Sequence, residues 1–172
     1  MMSQEKDLRT MASDYAIANC NKGFNCTEAI YDALLRCGAL KVPQETIALS
    51  FGFGGGIGLT GHTCGALCAV VLACGAAYGR PDPWRIPEDE RIMEIRDYYR
   101  RYNKIVHDFI AENKSASCKE LCAPFGDFQS RERRVYCMKL IGRSAAMAVD
   151  FLSMSQDEAF DLPFGENLAG AR

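Results

Sequence analysis

Three of the nine cysteines in this 172-residue chain stand where helices should begin: Cys26 after Asn25, Cys64 after Thr63 and Cys118 after Ser117. A sulfur in the first turn of a helix faces unpaired backbone N–H groups and the positive end of the helix dipole. Both favour the thiolate and lower its pKa. Thiolates ligate soft metals and attack disulfides, so the pattern predicts sulfur chemistry of one kind or the other. A fourth cysteine, Cys137, falls on the inward face of a later helical segment. Where four helices cross, Cys26, Cys64, Cys118 and Cys137 can present four sulfurs to one centre, the donor set of tetrahedral zinc or of an iron-sulfur cluster. Their spacings contain no Cys-x-x-Cys pair. Three readings therefore stay open: metal or cluster ligation, reversible thiol chemistry, and small core residues.

The other cysteines divide by position. Cys68 follows Cys64 by four residues and Cys122 follows Cys118 by four, so each pair shares a helix face and each second sulfur could serve as an extra ligand or a resolving thiol. Cys37 and Cys74 read as core filling, and Cys20 as a packed residue near Cys26. The run Gly54-Gly55-Gly56-Ile57-Gly58 has no preceding strand and no following Gly-Lys-Ser or Gly-Lys-Thr. Nucleotide binding by a phosphate loop is thus not expected. The glycines, Gly55 and Gly56 in particular, are expected to turn the backbone tightly and aim N–H groups at the sulfur of Cys64 or at a bound centre. His62 is expected at the surface or as a cap, His107 in a structural role, and Arg131-Glu132-Arg133-Arg134 on a solvated helix face. No serine or threonine is framed as an activated nucleophile.

Helical periodicity positions these residues. Leu8, Met11, Ala12, Tyr15 and Ala16 mark a first amphipathic segment ending before Asn21-Lys22-Gly23. A second runs from Asn25, with Ala29, Ile30, Ala33, Leu34 and Cys37 on one side, to Gly38. Pro43 and Glu45 open a shorter helix with Ile47, Ala48 and Phe51 inward. The segment from Thr63 to Gly79 is rich in alanine and glycine and reads as a helix buried on nearly all sides, leaving room for close neighbours or for something that is not protein. Trp84 is expected to cover the core beside it. A long helix from about Pro87 to Ala111 carries the stripe Ile92, Ile95, Tyr99, Tyr102, Val106 and Phe109. A short turn near Cys118 leads to a last main helix, Arg131 to Met154. The prediction is an all-α fold: a single-domain multi-helix bundle over residues 1–172, with a central small-residue-rich helix and residues 160–172 as a loosely attached tail.

Twenty basic and twenty-two acidic side chains give a net charge of about −2, with no basic stripe, so nucleic acid is not an expected partner. The most apolar stretch, Ala66 to Tyr78, is far shorter than the ~20 residues that span a bilayer, and no membrane insertion is expected. The polar opening Met1-Met2-Ser3-Gln4-Glu5-Lys6-Asp7 lacks the pattern of a secretory signal. The expected setting is cytoplasmic, where dense cysteines bind metal or exchange electrons more often than they form permanent disulfides.

Asn25-Cys26, Gly54-Gly55-Gly56-Ile57-Gly58, Thr63-Cys64-Gly65-Ala66, Ser117-Cys118 and Cys137 together resemble the C_GCAxxG_C_C family of redox-active proteins. The resemblance runs from about Ala12 to Leu152, and the family's four characteristic cysteines correspond to Cys26, Cys64, Cys118 and Cys137. Its members are small proteins, largely from anaerobic or metabolically versatile bacteria. The chain departs from the pattern at Ala69, where a glycine would end the Cys-Gly-Ala-x-x-Gly segment, and adds Cys68. The resemblance implies an iron-sulfur cluster, 2Fe-2S or 4Fe-4S, on those four cysteines, serving electron transfer to a redox partner protein. Zinc or no metal, a dithiol protein exchanging thiol and disulfide, and a redox- or metal-sensing partner subunit are the alternatives. A homodimer is a further option, since Tyr98, Tyr99 and Tyr102 beside Arg100 and Arg101 could form a docking surface.

Overall fold

A computed structural model describes residues 2–171, and the side-chain surroundings of residues 8–171. The chain forms α1 (Met2–Asn21), α2 (Cys26–Arg36), α3 (Gly65–Tyr78), α4 (Glu88–Asn113), α5 (Cys118–Cys122), α6 (Arg131–Ser153) and α7 (Gln156–Phe160), with 3-10 turns at Gln44–Phe53, Pro83–Arg85 and Ala123–Phe125. Among the described residues the only β pairing is an isolated antiparallel bridge between Thr63 and Ser117. The fold is all-α, as the periodicity predicts. Met1 and Arg172 lie outside the described residues.

Polar caps set the helix starts. The Asn25 side chain accepts from the N–H groups of Thr27 and Glu28, at 2.9 and 3.0 Å, and the Glu28 carboxylate accepts from the Asn25 N–H at 3.1 Å. This capping box starts α2 at Cys26. Ser117, Ser130 and Ser155 cap α5, α6 and α7 by the same kind of bond.

Helices α1, α2, α3 and α6 form the core. Alanines make close packing possible: Ala12 and Ala16 of α1, Ala29 and Ala33 of α2, Ala66, Ala69 and Ala73 of α3, and Ala145 and Ala148 of α6 are all fully buried. Gly142 of α6 sits so near α1 that a Cβ there would lie 2.8 Å from Ser13 Oγ and 2.9 Å from Ile17 Cδ1. Inside the core Asp32 accepts from Asn19 at 2.8 Å and from Arg36 at 2.6 Å, so this buried carboxylate is satisfied.

Several expectations need correction. The stretch 44–53 is 3-10 instead of α, and its register turns Ser50 inward while Ala48 and Phe51 face solvent. Phe51 is 71% exposed. Helix α3 is not buried all round, because Ala76 and Ala77 are exposed. Trp84 does not cover the core; it is 87% exposed, with the Arg91 guanidinium 5.5 Å from its ring. On α4 the buried line is Arg101, Ile105, Phe109 and Asn113, one residue in four, whereas Ile92 and Tyr99 are exposed. The chain after Ala159, expected to be a loosely attached tail, runs along α4. There Arg100 donates to Leu162 O at 2.6 Å, Asn103 accepts from Gly165 N at 2.7 Å, and His107 Nε2 meets Glu166 O at 2.9 Å.

Arg101 cannot belong to a docking surface, since it is 1% exposed. Its guanidinium donates to the carbonyls of Phe151, Met154 and Ser155, and its carbon lies 4.0 Å from the Tyr78 ring centre. It therefore satisfies the carbonyl end of α6 and ties α4 to it. Replacing it with a side chain of similar length and no donors leaves those carbonyls without their buried partner. Arg101→Met should cost about 3 kcal/mol of stability in urea unfolding, the cost of breaking a buried charged hydrogen-bond set.

Candidate functional site: a cavity walled by five thiols

Two backbone hydrogen bonds fix the first pair of sulfurs. Cys64 N–H donates to Ala116 O at 2.7 Å, and Cys118 N–H donates to His62 O at 2.6 Å, so the chain before α3 and the chain before α5 run antiparallel, side by side. Lys119 N–H extends the pairing to Gly61 O at 2.9 Å. A second link joins α2 to α3, where Thr27 Oγ1 donates to Gly65 O at 2.9 Å. Gly65 permits this approach: a Cβ on it would stand 2.8 Å from Phe53 O, 2.9 Å from Thr27 Oγ1 and 3.1 Å from Cys26 Cβ.

The outcome is an enclosed cavity of about 50 Å³ lined by Cys26, Cys64, Cys118, Cys122 and Cys137, with Gly55 and Arg133 among its other walls. The four cysteines singled out by sequence thus come together from α2, the start of α3, α5 and α6. Cys122 joins them in the same wall, close enough to Cys118 and Cys137 that a charge on Cys118 would raise its pKa and its own charge would raise that of Cys137. Its spacing of one helical turn from Cys118 already marked it as a candidate. Cys68 does not join; it turns back towards Thr63 O at 4.0 Å and lines no part of the cavity. Cys37 and Cys74 are buried in the core. None of the nine cysteines forms a disulfide.

Arg133 was missed. It sits four residues before Cys137 on α6, and that spacing was the available signal. Instead of joining a solvated face, its guanidinium lies over the Phe128 ring at 4.1 Å and reaches Cys137 Sγ at 3.9 Å. His62 is exposed, as expected of a surface residue, and contributes no atom to the cavity.

The glycine-rich turn contacts two sulfur-bearing residues, neither of them the expected Cys64. Gly55, at φ 64°, lines the cavity with Cys26, and its N–H lies near enough to that sulfur to pull the thiol's pKa down. Gly56, at φ 75°, packs so closely on α5 that a Cβ would lie 2.7 Å from Cys118 Cβ and equally near the backbone of Gly61 and His62. Ile57 and Leu59 also hold positive φ, at 65° each, a conformation that side-chain-bearing residues rarely adopt. Cys64 stands at the N-cap of α3 without a side-chain cap hydrogen bond, and the N–H groups of Ala66 and Leu67 beside it pull its pKa down.

Acidity is where the expectation fails. Helix starts do lower the thiol pKa here, but burial outweighs them. Burial pushes Cys64 up to about 12 against the pull of the Ala66 and Leu67 amides, and burial followed by the neighbouring Cys122 pushes Cys137 up to about 11 against Arg133. Cys26, Cys118 and Cys122 shift in the same direction, with burial the first cause in each. Crowding adds to burial, since each ionised sulfur would repel the next.

The sulfur donors, the amides directed at Cys26 and Cys64, and the Arg133 cation suit a sulfur-ligated group of net negative charge. The sulfurs enclose space without caging a point, for among the described residues no three Cys, His, Asp or Glu side chains are arranged to hold a single metal ion.

Fold and site define a small helical protein organised around clustered thiols, with Cys64 and Cys118 buried and Cys26, Cys122 and Cys137 half-buried. The chain belongs to the C_GCAxxG_C_C family, described as "Putative redox-active protein", whose pattern matches residues 24–151. It is also similar to a protein of Archaeoglobus fulgidus described as uncharacterized, 26% identical over 132 residues that cover 77% of this chain and 87% of the relative. No solved structure matches the chain.

Two measurements test this geometry. Gly56→Ala and Gly58→Ala share the penalty of a positive φ, about 1–2 kcal/mol, but nothing stands within 4 Å of a Cβ at Gly58. Gly56→Ala should therefore lose at least about 1 kcal/mol more in urea unfolding, and it should speed alkylation of Cys118 as the turn lifts away. The second measurement is pH dependence in metal-stripped protein. Unfolded thiols ionise near 8.5, while folded Cys64 and Cys137 hold their protons to about 12 and 11. The unfolded chain binds fewer protons across that interval, so stability should be intact below about pH 8 and fall steadily as pH rises from about 8.5 through 11–12. Urea unfolding between pH 7 and 11 reads the slope.

Proposed function

We propose that this protein transfers electrons through an iron-sulfur cluster held by Cys26, Cys64, Cys118 and Cys137. The observation that carries the reading is the meeting of four sulfurs, from segments distant in sequence, around one enclosed cavity. Five weakly acidic thiols in one wall are a soft donor set, and a metal that replaces their protons supplies the positive charge that lets several sulfurs stay negative side by side. When bound, the cluster would supply reversible one-electron chemistry.

The chain's own residues would tune that centre. The Gly55 amide at Cys26 and the Ala66 and Leu67 amides at Cys64 stabilise negative sulfur, which raises a reduction potential. Arg133 adds positive charge beside Cys137. Phe128, Leu140 and Ile141 line the cavity with apolar surface and limit access of water. Cys122 is a fifth sulfur within the same wall.

One observation favours a second reading, in which the thiols themselves are the redox group. Cys122 lines the cavity beside Cys118 and Cys137. Oxidation of either pair would form one S–S bond and release two protons and two electrons to a disulfide-containing acceptor. The high thiol pKa values oppose it, because the attacking species is the thiolate.

Anaerobic purification with iron, acid-labile sulfide and visible absorption distinguishes these readings. Iron and sulfide in equal amounts are expected, lost in the Cys26→Ser, Cys64→Ser, Cys118→Ser and Cys137→Ser proteins and retained in Cys68→Ser. A colourless protein holding stoichiometric zinc would replace electron transfer with a structural role. A colourless, metal-free protein that reversibly forms a Cys122 disulfide would move the function to the thiols.

A further inference from the structure

The thiol cavity shares a wall with a second space, an open cleft of about 1130 Å³. Cys26, Gly55, Arg133, Cys137 and Ile141 line both. Whatever occupies the cleft therefore rests against residues of the sulfur cluster.

The cleft's charge is one-sided. Arg131, Arg133 and Arg134, all within the first turn and a half of α6, line it. Among the described residues none of the three is ion-paired, whereas Arg9, Arg36, Arg85 and Arg143 each meet a carboxylate. The Arg133 Nε is buried and has no hydrogen-bond partner among the described residues. Glu28 is the carboxylate on the lining, and it is engaged in the α2 capping box. Arg133 reaches only Cys137 Sγ and the Phe128 ring, and Arg134 donates to Gln129 O, so three guanidiniums without a carboxylate partner stand beside a positive helix end and make a local field that an anion would relieve.

The remaining lining is apolar or lacks side chains. Phe24, Phe51 and Leu59 border the cleft, and Phe51 and Leu59 are 71% and 75% exposed. Gly52, Gly54, Gly55 and Gly58 carry no Cβ into it. The Gly55 and Gly58 amides are already directed to Cys26 sulfur and Gly52 O, so charge recognition falls to the arginines. A concave space near the size of small-molecule sites, with apolar walls and a few convergent charges, is built for a compact ligand.

We propose that this cleft binds a small amphipathic anion: a carboxylate, phosphate or sulfonate seated among Arg131, Arg133 and Arg134, with an aromatic body over Phe24, Phe51 and Leu59. Its purpose rests on the redox reading of the neighbouring cavity, for which it supplies a small-molecule counterpart, but binding itself does not depend on that reading.

The test pairs 1-anilinonaphthalene-8-sulfonate with N-phenyl-1-naphthylamine, the same aromatic body without the sulfonate, titrated by fluorescence against the full chain and against Arg131→Ala/Arg134→Ala. The sulfonate should bind at least tenfold tighter than its uncharged twin, and the double variant should abolish that preference. Equal affinity of the two probes, or an undiminished preference in the variant, would overturn the proposal. So would a glutamate-rich peptide that displaces the sulfonate and binds more tightly, because the occupant would then be an acidic protein. Iron and sulfide measured on the same samples report separately: their absence with the preference intact removes the redox reading and leaves the cleft's ligand class standing.

Discussion

Two reciprocal hydrogen bonds, Cys64 N to Ala116 O and Cys118 N to His62 O, hold the site together. They join loops that no helix packing would bring into register, and they set two sulfurs at adjacent helix starts. Thr27 then ties the start of α2 to the same place through Gly65 O. Gly65 is the enabling residue, since any side chain would separate α2 from α3 and withdraw Cys26 from the cluster. Only Cys137 arrives by ordinary helix packing, carried inward on α6.

Electrostatics at this site is a contest between two effects of similar origin. Helix starts offer N–H groups that favour a charged sulfur, while the core that aligns those starts removes the water that a charged sulfur would otherwise use. Burial wins for the unligated thiols, with Cys64 the clearest case. The same amides that fail to ionise a lone thiol remain directed at the sulfur and would act fully on a ligated one. A sequence shows the first effect through its caps, but the second depends on how deeply the caps are buried.

That difference explains what could be read from the sequence. Helix starts after Asn25 and Ser117 are legible because capping is a local interaction, and the all-α class follows from a periodicity shared by most of the chain. The four cysteines were legible as a group through helix-start chemistry and through their family resemblance. The 44–53 segment was not, because a 3-10 turn shifts the inward register, exposing Phe51 and burying Ser50. Arg101 and Arg133 were both misread as surface charge. A charged side chain turns inward only when partners exist there, and those partners, the α6 carbonyls for one and Cys137 with Phe128 for the other, come from tertiary structure. The glycine turn lies against Cys26 and Cys118 and not against Cys64, because nothing local reveals that Gly55 meets the first and Gly56 the second.

The convergence of α2, α3, α5 and α6 on one cavity also has a temporal side. Its walls come from segments separated by long stretches of chain, so the cavity exists only once α2, α3, α5 and α6 have come together. Before that moment the nascent chain carries nine accessible thiols of ordinary acidity. Oxidants and stray disulfides therefore threaten the newborn polypeptide far more than the finished molecule, and the window between synthesis and closure is when this chain most needs a reducing environment.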